Sequence, residues 1–220
     1  MTRYLVSLVC AAAVSAAALP ARACDIALLL AVDVSNSIDV AEYRLQVDGM
    51  ADALLDPEIG HAMEQGRIAV SVMQWSGVGA QEISIGWTRI TSRADVLALS
   101  QQARTMPRAF INSDTAPGEA IDFALKQFAQ VPDCKTKVID VSGDGTENAG
   151  TGTAAARRRA ELAGVTINGI AIESMGLSIT GFYRRSVITR YGFVMTARGH
   201  RDYPRAIREK ILREVTKVSS

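Results

Sequence analysis

Ile26-Ala-Leu-Leu-Leu-Ala-Val32, running on into Asp33-Val-Ser35-Asn-Ser37, is the stretch from which the fold is read. An apolar run with no polar interruption describes a strand buried on both faces, as at the centre of a parallel sheet. At its carboxyl end the chain releases one carboxylate and two hydroxyls at alternate positions. Ligands of open α/β sheets bind in the crevice outside such strand ends. One acid and two neutral oxygens are hard donors, suited to Mg²⁺ or Mn²⁺ rather than to a soft metal.

Outward from this strand the elements alternate, which implies an α/β sheet covered by helices on both faces. Val40–Leu55 has apolar residues at helical spacing, with Asp39 as its cap and Asp56-Pro57 as its stop. Arg67–Trp75 is rich in β-branched residues and reads as the second strand, and Gln81–Thr88 returns beside it after the turn Ser76–Gly79. Helices are expected over Ser92–Arg104, Pro117–Phe128 and Thr153–Ala163, with strands at Lys137–Val141 and Val165–Ile172. Ile179–Arg190 is expected to be helical, Phe193–Thr196 to be the last strand, and Tyr203–Val218 the closing helix. Right-handed crossovers and neighbour rules place strand one beside strand four, where the order reverses. The expected fold is a doubly wound, mostly parallel six-stranded sheet of order 3-2-1-4-5-6, with strand 3 antiparallel. Asp33 and Asp144 emerge together at the reversal.

The amino-terminal segment is set apart from this domain. Arg3, the alanine-rich apolar run Tyr4–Leu19 and the small residues of Ala21-Arg22-Ala23 read as a secretory signal peptide over 1–23, leaving 24–220 as one domain. Lys+Arg and Asp+Glu number 24 and 23, and loss of Arg3 and Arg22 turns the balance slightly acidic. No basic field remains to attract nucleic acid, and no second apolar run approaches a membrane-spanning length. A periplasmic or secreted protein is expected.

Of three cysteines, Cys10 falls in the leader, and Cys24 and Cys134 remain. Each just precedes a strand. If those strands are parallel neighbours, both thiols lie at the amino end of the sheet, where a disulfide would contribute about 3–5 kcal/mol by restricting the unfolded chain. Two separate buried thiols are the alternative.

With these elements in place, the chain resembles a von Willebrand factor type A domain. Asp33-x-Ser35-x-Ser37 matches the first loop of that family's metal-ion-dependent adhesion site. Thr115, in Asp114-Thr115-Ala116-Pro117-Gly118, matches the second-loop threonine, and Asp144, in Ser142-Gly143-Asp144-Gly145, the third-loop aspartate. The likeness runs from about Asp25 to the end of the chain. Cys24-Asp-Ile-Ala-Leu and Val138-Ile-Asp-Val-Ser-Gly-Asp-Gly resemble an uncharacterised family of exported bacterial type A domains. One departure is the serine-glycine before Asp144, where many relatives carry a threonine. The resemblance implies a divalent ion, Mg²⁺ or else Mn²⁺ or Ca²⁺, held by Asp33, Ser35, Ser37, Thr115 and Asp144. It also implies a protein partner that offers an Asp or Glu carboxylate.

Each of these residues also has a plainer role. Asp33 and Ser35 could cap the following helix, Thr115 could bond to backbone, and Asp144 could form a turn. Gly143-x-Gly145 misses the dinucleotide spacing and follows the fourth strand rather than the first, and no phosphate-binding lysine loop or serine elbow occurs. His61 and His200 are the only histidines, and both are expected on the solvated surface, which leaves Glu147 and Asp114 as the nearest acid–base groups. Trp75 and Trp87 are expected in packing, Arg157-Arg158-Arg159 on a solvated helix face, and Ile207, Ile211 and Val215 against the sheet. A non-enzymatic metal-dependent binding module is the function expected. A scaffold with an unused metal site and a metal-assisted hydrolase are the alternatives.

Overall fold

The computed structural model describes residues 24–111, 113–173 and 178–216. The leader expected over 1–23 and the stretch of the closing helix beyond Thr216 lie outside the described residues. In chain order the elements are β1 (Ile26–Asp33), α1 (Val40–Leu55), α2 (Pro57–Gln65), β2 (Ala69–Trp75), β3 (Gln81–Arg89), α3 (Arg93–Thr105), α4 (Pro117–Gln127), β4 (Thr136–Gly143), α5 (Thr153–Leu162), β5 (Val165–Ile172), α6 (Ile179–Phe182), β6 (Val194–Ala197) and α7 (Tyr203–Thr216).

The sheet order is β3-β2-β1-β4-β5-β6. Only β3 runs antiparallel. This is the expected architecture. β1 is buried at every position, so its side chains divide between two cores. Ile26, Leu28, Leu30 and Val32 meet the layer of α1, α2, α3 and α7. Ala27, Leu29 and Ala31 meet α4 and α5, whose own contacts are Ala120, Ala124, Ala156 and Ala160. Small residues on both sides let these helices approach the sheet closely. Each fully buried leucine of β1 contributes roughly 2 kcal/mol of apolar transfer free energy.

Cys24 and Cys134 form a disulfide across the amino ends of β1 and β4, closing a separation of 110 residues. That end is opposite the one where Asp33 and Asp144 emerge. Among the described residues, no helix is long and apolar enough to cross a membrane.

Three expectations are corrected. Asp56-Pro57 stops α1 but also opens a further helix, α2, that was not expected. Asp56 caps it by accepting from Glu58 N and Ile59 N, and Pro57 takes the first helical position, where its missing N–H costs nothing. The helix at 179–190 is shorter than expected. After α6 the chain widens into a π-helical turn, Tyr183–Val187. The second strand begins at Ala69 rather than Arg67, because Arg67 takes a left-handed backbone with φ 47°.

α7 buries Ile207, Ile211 and Val215 as expected, and with them a lysine. Lys210 is fully buried, with Nζ 2.5 Å from Asp140 Oδ2 and 2.6 Å from Glu214 Oε1. Asn168 donates to the same Glu214 oxygen and accepts from Phe193 N, tying β5 and the approach to β6 into the network. Burial pushes the Asp140 carboxyl up to about 7, against the pull of Lys210.

Candidate metal centre

Helix α1 starts with a capping box, in which Asp39 accepts from Glu42 N and Glu42 Oε2 accepts from Asp39 N. The capping of α1 is therefore done by Asp39, and Asp33 and Ser35 are free of that role. Asp33 Oδ1 instead accepts from Ser35 N at 2.7 Å. Ser35 Oγ lies 3.2 Å from Ser37 Oγ, and Ser37 Oγ donates to Asp144 Oδ1 at 2.5 Å. Four of the five expected residues thus form one hydrogen-bonded chain across the β1 and β4 ends. Thr115 comes to the same place from the α4 side. A Cβ on Gly145 would stand 3.4 Å from Thr115 Oγ1. Thr115 N donates to Asn148 Oδ1, which ties the second loop to the third.

The first loop is held rigidly from behind. Arg108 donates to the carbonyls of Val34 and Ser35, Asn36 N donates to Ser113 O, and Gln46 donates to Asp33 O. Ser76 Oγ reaches Asp114 O, so the β2–β3 turn supports the second loop. Glu147 is committed to α5, accepting from Thr153 N and Thr153 Oγ1. Trp75, which donates from its indole to Ala31 O, is a packing residue as expected.

The electrostatics single out Asp33. Its Oδ2 is buried and has no hydrogen-bond partner. Burial lifts the carboxyl from its ordinary 3.8 to about 7, against the hydrogen bonds of Ser35, and the Asp144 charge adds to the rise. Burial also raises Asp144, with Ser37 opposing. Tyr183 OH, buried and unpartnered, and Asp33 Oδ2 crowd the same point above Gly143. Burial, and after it the Asp33 carboxylate, keeps that phenol protonated far beyond its ordinary range. Two acids sealed from water beside hydroxyl oxygens are a set that a divalent cation fits, because an uncompensated buried carboxylate is costly. Among the described residues, no three His, Cys, Asp or Glu side chains form a metal-binding group. Any ion here would take hydroxyl ligands as well as acids.

His200 corrects the sequence reading. It is not a solvated surface residue, since its side chain is only 10% exposed. Its Nδ1 lies 3.0 Å from Glu42 Oε1 and its Nε2 lies 3.9 Å from Asp144 Oδ2. The signal was positional. His200 follows β6 at the carboxyl end of the sheet, the end at which all three loops emerge. His61, on α2, is exposed as expected.

The fold, with its three loops at the strand reversal, is that of a von Willebrand factor type A domain. More particularly, the chain belongs to the family described as protein of unknown function DUF1194, whose model matches residues 23–219. Among solved structures it is similar to proximal thread matrix protein 1 from the mussel byssus, at 18% identity and TM-score 0.65, over 86% of this chain and 47% of that one. The same mussel protein has been solved with a zinc-occupied metal-ion-dependent adhesion site. A von Willebrand factor type A protein from Catenulispora acidiphila matches at 15% identity and TM-score 0.64, over 89% of this chain and 43% of that one. The corresponding domain of the type V pilus tip protein Mfa5 from Porphyromonas gingivalis matches at 9% identity and TM-score 0.64, over 90% and 97% of the two chains. The chain thus spans less than half the length of the first two. No curated protein matches the sequence.

Proposed function

We propose that this protein is an exported, non-enzymatic binding module whose partner docks through a divalent cation at the carboxyl end of the sheet. Asp33, Ser35, Ser37, Thr115 and Asp144 would hold the ion, which is Mg²⁺, or else Mn²⁺ or Ca²⁺. The observation that carries this reading is the buried, unpartnered Asp33 Oδ2 at one end of the hydrogen-bonded chain to Asp144. When bound, such a cation supplies a positive centre with positions left to water, for which an outside carboxylate can exchange. The chain's own residues do the rest. Arg108 and Gln46 fix the loop that presents the serines, Asn148 fixes Thr115, and the strand reversal brings Asp33 beside Asp144. The partner is a protein that offers an exposed Asp or Glu.

The Cys24–Cys134 disulfide supports an oxidising compartment, the periplasm or the exterior. A matrix protein and a pilus tip protein among the similar structures support a binding role. A test is capture of envelope proteins on the immobilised domain, with Mg²⁺ and with chelator, for the wild type and Asp33→Ala. Binding that survives both chelation and Asp33→Ala refutes the reading.

One observation favours the hydrolase alternative. His200 stands beside Asp144, where an acid–base group would be needed. Phosphatase and peptidase substrates tested with Mg²⁺ or Mn²⁺, with Asp144→Ala as control, are expected to show no turnover that depends on Asp144.

A further inference from the structure

We infer that His200, oriented by Glu42, is a nitrogen donor to the ion at this site and biases it from Mg²⁺ toward borderline cations of the Zn²⁺ type. The inference rests on the metal-site reading and goes beyond it, because that reading uses oxygen ligands alone.

Three observations converge. His200 Nε2 is buried and has no hydrogen-bond partner. Its distance of 3.9 Å from Asp144 Oδ2 is too long for a hydrogen bond and leaves room for one shared centre between nitrogen and carboxylate. On the far side of the ring, Nδ1 is 3.0 Å from Glu42 Oε1. A carboxylate at that nitrogen holds the proton on Nδ1 and turns the Nε2 lone pair toward Asp144. This is the arrangement by which metal-ligating histidines are oriented. Glu42 is itself immobilised, because its other oxygen accepts from Asp39 N in the capping box of α1. The run Asp39–Glu42–His200 therefore ends on an unsatisfied nitrogen beside Asp144, one of the two acids of the candidate centre.

Imidazole nitrogen is a good ligand for Zn²⁺ and a poor one for Mg²⁺, which keeps oxygen and water. A single nitrogen added to a hydroxyl–carboxylate set shifts selectivity while preserving a place for a partner's carboxylate. The surrounding residues agree with this assignment. The rest of loop one contributes only oxygen, and His61 lies away on α2.

The test uses the whole mature chain, without affinity-tag histidines, loaded with Mn²⁺. Pulsed electron paramagnetic resonance reads nitrogen coupled to the ion, and calorimetry reads Zn²⁺ and Mg²⁺ affinities. The wild type is expected to show coupling from one imidazole, lost in His200→Asn and kept in His61→Asn. Zn²⁺ affinity is expected to fall about tenfold or more in His200→Asn, and about tenfold in Glu42→Gln, while Mg²⁺ affinity changes less than about threefold. Ion binding with no nitrogen coupling, or an unchanged Zn²⁺-to-Mg²⁺ preference in folded His200→Asn, overturns the inference and leaves the oxygen site standing. No ion binding in the wild type, or binding unaffected by Asp33→Ala, overturns both.

Discussion

Replacing Asp33 by Asn isolates the cost of the buried carboxylate. Asn keeps an oxygen to accept from Ser35 N and removes the charge. The Asp33 carboxyl is held near 7 in the fold, against an ordinary 3.8. The folded state therefore keeps a proton that the unfolded chain has released between those values, and lowering the pH stabilises the fold. Stability falls as pH rises from about 4 to about 7 and levels off above, at about 1.4 kcal/mol per pH unit for a single group. The interval between about pH 5 and about pH 7 thus holds a ceiling of about 3 kcal/mol, which relaxation of the surroundings reduces to roughly 1–3 kcal/mol. Urea denaturation of both proteins in chelator, near pH 5 and near pH 8, measures this. Asp33→Asn is expected to gain on the wild type by roughly 1–3 kcal/mol between the two conditions. Adding Mg²⁺ should reverse the order near pH 8, since an ion at about a hundred times its dissociation constant stabilises only the protein that binds it, by about 2.7 kcal/mol. The double difference cancels any fixed cost of the new amide. If the advantage of Asn is the same at both pH values, Asp33 carries no uncompensated charge and the electrostatic argument for the site fails.

Other substitutions probe the parts around it. Gly143→Ala would set a Cβ 2.6 Å from Asp33 Oδ2 and 2.9 Å from Tyr183 OH, so it should cost about 1–3 kcal/mol and weaken ion binding about tenfold or more, read by urea melts and calorimetry. Lys210→Met leaves Asp140 and Glu214 buried without their cation and should cost about 3–5 kcal/mol. Because Asp140 can then take up a proton, the loss should be smaller near pH 5 than near pH 8. An equal loss at both pH values would mean that Lys210 acts by packing alone. Cys24→Ser with Cys134→Ser should lower the unfolding free energy by about 3–5 kcal/mol, and mass spectrometry of the wild type should find neither thiol free.

Much of this molecule was legible from local pattern. The unbroken run at Ile26–Val32 implied a central strand, and β1 is buried throughout. Asp39 announced the start of α1, and Ser92 that of α3, whose side chain accepts from Asp95 N. Asp56-Pro57 reads as a stop because proline ends helices more visibly than it begins them. It does both here, since Asp56 closes α1 and caps α2. Nothing in the spacing around Tyr183 and Arg108 marks a side chain that reaches another loop.

From order along the chain alone came the sheet, its reversal point and the residues brought to it, because periodicity and handedness are local properties that propagate to topology. Tertiary structure alone decided which polar groups lost their water. Lys210 sits in an amphipathic helix and is nonetheless fully buried against Asp140. His200 follows a short edge strand and still turns inward to Glu42 and Asp144. Burial and charge pairing depend on which distant segments arrive around a side chain, and no spacing within one segment encodes that.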